Sequence, residues 1–115
     1  MIETRLGDFE ETTMLIVGIL EDEAYAFRIS KAFEERTGRA VSIGSIHSTL
    51  DRLETKGFVK STLKNATSGR GDRRKRIFGI TALGKRVLKE SMEFKVDLWK
   101  SYPAFAGKFD LGQKS

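Results

Sequence analysis

Residues 42–76, SIGSIHSTLDRLETKGFVKSTLKNATSGRGDRRKR, decide how this chain is built. Ser42 is placed to cap a helix, because its hydroxyl can accept a hydrogen bond from a free N–H of the first turn. Ile43, Ile46, Leu50 and Leu53 follow at helical spacing and make one face apolar. Gly57 stands where a left-handed residue ends a helix at little steric cost. Two short strands are predicted next, Phe58–Lys64 and Lys75–Ile80, joined by the polar loop Asn65–Arg74, which holds Gly69, Gly71 and several arginines. A helix followed by a hairpin with a basic tip has the shape to meet a groove and a phosphate backbone together.

The rest of the chain supports a small helical domain around that stretch. A first helix is predicted from Asp8, with Asp8 and Glu11 spaced as a capping box and acids at the positive end of the helix dipole. Its later residues, Met14–Leu20, are nearly all apolar, which predicts burial on more than one side. Glu21–Glu23 reads as a polar turn and Ala24–Ala26 as a very short strand. A second helix then carries Ile29, Ala32 and Phe33 inward and stops at Gly38. Its tight connection to the Ser42 helix is that of a helix-turn-helix. Thr81 caps a final helix, about Ala82 to Lys100, with Pro103 beyond it and a tail, 104–115, expected to be loosely held.

The charge is unevenly spread. Residues 1–23 hold seven acids and one base, whereas residues 56–76 hold eight bases and one acid, Asp72. With a net charge of +5, this asymmetry points to a local anionic partner. Hydrophobic residues at 39% and charged residues at 32% suit one folded domain of 115 residues. No cysteine is present, which excludes disulfides, thiolate catalysis and cysteine-held zinc, and permits a reducing cytoplasmic setting. The Met14–Leu20 run is too short to span a bilayer, and the acidic start does not read as a secretory signal.

In detail the chain resembles the PadR-like transcriptional regulators. The resemblance is carried by LGDFEETTMLIVGIL, AYAFRI, ERTGRAVSIGSIHSTLDRLETKGFV, GRGDRRKRIFGIT and ITALGKRVL, over residues 6 to about 90. RLETKGFV is common to several winged-helix families; its combination with the basic GDRRKRIFGIT wing is the specific part. His47 departs from the pattern, which usually has tyrosine there. The resemblance implies a winged helix-turn-helix over 1–80, mostly α with a small β-hairpin wing. It also implies a C-terminal dimerisation helix over 81–103, and a dimeric DNA-binding repressor in which release by a small molecule is left open.

Candidate contacts follow from the residue chemistry. Ser42, Ser45, His47, Ser48, Thr49 and Arg52 lie off the apolar face of the Ser42 helix. Small hydroxyl side chains let a helix sit deep in a major groove, and Arg52 has the reach for guanine or phosphate. Alone, these would be ordinary solvent-facing residues, and Arg52 could equally pair with an acid on another helix. The neighbouring wing favours DNA for the set. There, Arg70, Arg73, Arg74, Lys75 and Arg76, with Lys60 on the first strand, offer forked or point-charge contacts to phosphate. Arg76 has a structural alternative, since strand alternation places it with Phe78. Val87, Leu88, Met92, Phe94, Leu98 and Trp99 form a stripe too broad for one core contact, and so read as a dimer interface. Trp99 reads as an anchor there, with an effector pocket as its alternative.

Other classes lack support. One histidine and no cysteines make a metal site or hydrolytic triad a poor reading, no cofactor is implied, and Asp51, Glu54 and Asp72 are not arranged like a nuclease centre. The remaining rival is a winged-helix module that binds protein. It would require an apolar patch on the exposed side of the Ser42 helix, and the spacing gives no sign of one. The expected partners are a near-palindromic double-stranded operator and a second copy of the chain.

Overall fold

The computed structural model describes residues 6–65 and 74–103. The tail and the central wing residues, with Arg70 and Arg73, lie outside the described residues. Three helices come first, α1 (Asp8–Leu20), α2 (Ala26–Thr37) and α3 (Ile43–Thr55). A hairpin of β1 (Val59–Asn65) and β2 (Arg74–Ile80) follows, and then α4 (Ala82–Ser101). The strands pair antiparallel with Val59 opposite Ile80 and Asn65 opposite Arg74. This is a winged helix-turn-helix with an added C-terminal helix, as the sequence implied.

The start of α1 corrects one detail. Gly7, in an extended conformation, is the N-cap, and the Glu10 carboxylate accepts from its N–H at 3.0 Å. The box is therefore shifted by one residue, and Glu11 is free to turn toward α4. Met14, Ile16 and Val17 enter the core, whereas Leu15 and Ile19 are exposed. So α1 is buried along one wide side rather than all round. The strand expected at Ala24–Ala26 does not form. Tyr25 is already the N-cap of α2, so a single backbone bond remains, from Phe78 N–H to the Ala24 carbonyl at 2.9 Å.

α2 buries Ile29, Ala32 and Phe33, and Phe33 stacks on Phe9 of α1 with ring centroids 4.9 Å apart. Gly38 adopts the left-handed conformation at its end, with φ 77°. The turn into α3 is held by the Ser30 hydroxyl, which donates to the Val41 carbonyl at 2.8 Å. Ser42 caps α3 as its chemistry suggested, accepting from Ser45 N–H at 3.0 Å. At the far end Gly57 takes φ 84°. Gly57 N–H then bonds the Glu54 carbonyl at 3.0 Å and Phe58 N–H the Leu53 carbonyl at 2.9 Å, a two-bond helix stop.

That stop is also where α4 departs. Thr81 N–H donates to the Phe58 carbonyl at 3.0 Å, and the Thr81 hydroxyl donates to the Gly57 carbonyl at 2.7 Å while accepting from Gly84 N–H at 2.9 Å. Gly84 lies against the same segment; a Cβ there would stand 2.1 Å from the Phe58 carbonyl oxygen. Beneath this junction Leu50, Leu53, Phe58, Val59 and Phe78 join Met14, Ile29 and Ile46 in one core. Val87 and Leu88 of α4 pack against it from outside.

Gly84→Ala separates the local from the tertiary demand at this position. Helix propensity alone would make alanine the better residue by about 1 kcal/mol. The blocked approach to Phe58 reverses the sign, and thermal or urea unfolding should show the variant less stable by about 1–3 kcal/mol.

Candidate nucleic-acid interface

The α3 side chains sort by their angle around the helix, about 100° per residue. Ile46, Thr49, Leu50 and Leu53 face the core. Gly44, Ser48 and Asp51 face directly away from it and are exposed. Ser45 and Arg52 lie on the flank toward α1, and Ile43, His47 and Glu54 on the flank toward the hairpin. Thr49 is a correction to the expected contact set. It is only 2% exposed and accepts from Arg52 Nη2 at 3.3 Å, so it cannot reach a groove. Its place three residues after Ile46 and four before Leu53 was the sequence signal that it belongs to the inner stripe.

The acidic start of the chain supplies the α1 flank with counterions. Glu10 Oε2 lies 3.5 Å from Arg52 Nε and 3.1 Å from Lys56 Nζ. Arg52 therefore takes the interhelical acid that its alternative reading required, yet its side chain remains half exposed beside Ser48. Burial would by itself raise the Glu10 pKa. The Gly7 N–H bond, Lys56 and Arg52 together outweigh it and hold the carboxyl below its usual 4.5.

On the hairpin flank Arg76 joins three elements. Its Nη2 lies 2.8 Å from Glu54 Oε1 of α3, and its Nε donates to Ser61 Oγ of β1 at 3.0 Å. Ser61 in turn donates to Glu54 Oε2 at 3.1 Å. Arg76 thus acts as a fold contact, the alternative its strand position allowed. Lys75 sits 4.0 Å over the ring of Tyr25, a cation–π contact that fixes β2 to the start of α2. Arg74 is exposed. Lys60 is not brought to this group. It opens on the other face of the hairpin, in a depression that it shares with Glu21 and Asp22.

His47, Arg74, Lys75 and Arg76 border one open concavity of about 500 Å³ with Tyr25, Phe27 and Ile43. Phe27 is 57% exposed and Ile43 41%. The residue spacing predicts no apolar patch on this side of α3, and here the structure differs. Ile43 is the first residue of α3, ahead of the turn that packs, so its helical phase did not bury it. Phe27, the second residue of α2, is left uncovered in the same way.

The α4 stripe divides in two. Val87, Leu88 and Met92 are half-buried, the first two against the chain's own core. Phe94 is 63% exposed, and Leu98 and Trp99 are exposed on the following turns. Glu11 anchors this half, accepting from Lys95 Nζ at 2.6 Å and from the Ser91 hydroxyl. The Glu11 bond raises the Lys95 pKa above 10.5, outweighing a smaller desolvation effect. Leu15 and Ile19 of α1 are exposed as well, although the sequence predicted burial of that helix on more than one side. Among the described residues no three His, Asp or Glu side chains gather as a metal site, and no helix is long and apolar enough to cross a membrane.

The profile of the transcriptional regulator PadR-like family matches residues 16–90. A PadR family transcription regulator from hypervirulent Clostridium difficile is 30% identical, with 84% of this chain and 98% of that chain covered and a TM-score of 0.64. A PadR-like transcriptional regulator from Bacillus cereus is 21% identical, covering 87% of this chain and 93% of its own, with a TM-score of 0.68. A PadR-like transcription factor from Bacteroides fragilis has the same TM-score at 20% identity, with 85% and 89% covered. No curated protein sequence matches the chain.

The Glu10 contacts make stability depend on pH in one direction. A carboxyl with a lowered folded pKa stabilises the fold above its unfolded value and loses that contribution as pH falls through the folded one. Glu10→Gln should therefore lower the urea midpoint at about pH 7. The gap to the parent protein should hold down to about pH 4.5 and close below it.

Proposed function

The chain belongs to the PadR-like family of transcriptional regulators and as such is a DNA-binding regulator, not an enzyme; we propose that it represses transcription as a two-fold dimer on a near-palindromic operator. The observation that carries this reading is the shared concavity: His47 of α3 and Arg74–Arg76 of β2 border the same space, so helix and wing offer one continuous surface to a duplex. The outward residues of α3 at its centre, Gly44 and Ser48, are small enough for close approach to base edges. Arg52, half exposed and steadied by Glu10, would reach guanine or phosphate from one side. Arg74 and Lys75 would hold the backbone from the other, joined by the wing residues Arg70 and Arg73.

The dimer is proposed to form through α4. Phe94, Leu98 and Trp99 leave a wide apolar face outside the core. Exposed apolar area of that breadth, rimmed by Lys89, Glu90 and Glu93, fits a partner helix better than solvent. A second copy of the chain is the partner whose own α4 offers the same face.

Selection of duplexes from a random pool should return two half-sites about 34–36 Å apart, one helical turn. Arg74→Ala with Lys75→Ala should weaken binding to all sequences alike and reduce the log–log salt slope by about 2, one for each phosphate left without its cation. Ser48→Ala should instead change the preference between duplexes. An unaltered salt slope would count against the wing.

Phe94→Glu with Leu98→Glu should convert the dimer to a monomer in sedimentation while leaving the far-UV circular dichroism of the fold in place, because both side chains are exposed.

A further inference from the structure

Single exposed apolar side chains are ordinary on any protein surface. Phe27 and Ile43 are different because of their neighbours. They come from the first turns of two helices, α2 and α3, and border the same concavity as Tyr25, His47, Arg74, Lys75 and Arg76. Among the described residues the acid held against this rim is Glu54, and it is engaged by Arg76 at 2.8 Å and by Ser61. Lys75 is drawn over the Tyr25 ring, which keeps an ammonium beside the apolar floor. An occupant must therefore be anionic at its edge and apolar where it meets Phe27 and Ile43.

A duplex supplies that combination at one place. The thymine C5-methyl is the apolar group that the major groove displays, and the phosphates of the strand flank it. Ile43 lies on the same helix flank as His47, next to the outward residues Gly44 and Ser48, and so stands at the edge of the surface that would enter the groove. We infer that Phe27 and Ile43 determine part of the operator sequence by apolar contact with thymine methyl groups, while Arg74 and Lys75 engage the adjoining phosphates. This rests on the DNA-binding reading above and adds to it a source of specificity other than hydrogen bonds.

The test compares duplexes that differ only in methyl groups. A duplex selected from the random pool at physiological salt is resynthesised with deoxyuridine in place of each thymine in turn. The parent protein should lose about fourfold in affinity at one or more positions, the equivalent of ~0.8 kcal/mol for a buried methyl. In Ile43→Ala the same exchange should cost less than about 1.5-fold, and Phe27→Ala should lose the penalty at the same or the neighbouring thymine. Both side chains are exposed, and thermal unfolding provides the check that the variants fold.

Indifference of the parent protein to every exchange would overturn the inference, as would a full penalty persisting in both variants. A change of oligomeric state in Phe27→Ala or Ile43→Ala on sedimentation would assign the patch to a protein contact and equally overturn it. Failure of the underlying reading has another signature: no duplex, methylated or not, would be retained in a salt-dependent way.

Discussion

The crossing at Gly57–Phe58 and Thr81–Gly84 is the constraint on which the rest of the molecule depends. Within a few residues α3 ends, β1 begins, β2 ends and α4 begins. Two carbonyls, of Gly57 and Phe58, accept from Thr81, and the absence of a side chain at Gly84 lets α4 lie against them. The Phe58 carbonyl belongs to a buried residue, and a buried backbone group left without a partner costs on the order of 1–3 kcal/mol. Here the partners come from both sides of the hairpin. α3, the hairpin and the exposed α4 face are therefore set relative to one another by local hydrogen bonds in addition to core packing.

A second tie runs through α1. Glu10 and Glu11 are adjacent in sequence, but successive helix positions differ by about 100° and so turn toward different neighbours. Glu10 holds Arg52 and Lys56 of α3, and Glu11 holds Ser91 and Lys95 of α4. The charge asymmetry seen along the chain is resolved in space as acids of α1 placed against bases of the two helices proposed to meet partners. Part of the positive charge is therefore neutralised internally. The hairpin, away from these two acids, keeps Arg74 exposed and Lys75 at the rim of the concavity, where an anionic duplex would have most effect.

The sequence by itself determined the four helices, the hairpin and their order, though not the absence of a strand at Ala24–Ala26. Ser42, Gly38, Gly57 and Thr81 are signals that act within one helical turn, and each is found in the role its chemistry implies. Periodicity likewise identified Ile29, Phe33, Ile46, Leu50 and Leu53 as core. The contrast between an acidic start and a basic wing was enough to point to a polyanion. All of this depends on near neighbours in the chain or on composition.

What only the tertiary structure decided is which sides of those elements remain uncovered. Thr49 looked like a groove residue but is closed off between α3 and the core, while Ile43, in phase with the apolar face, is left at the surface beside Phe27. Strand alternation left Arg76 open to a phosphate or a fold contact, and the partner that decides it, Glu54, lies 22 positions away in sequence and 2.8 Å away in space. Gly84 reads locally as a weak helix residue, and its necessity appears only when Phe58 is brought against it. The physical reason is common to these cases. Burial and ion pairing depend on the packing of segments far apart in sequence, and a helical phase gives the angle of a side chain without saying what stands opposite.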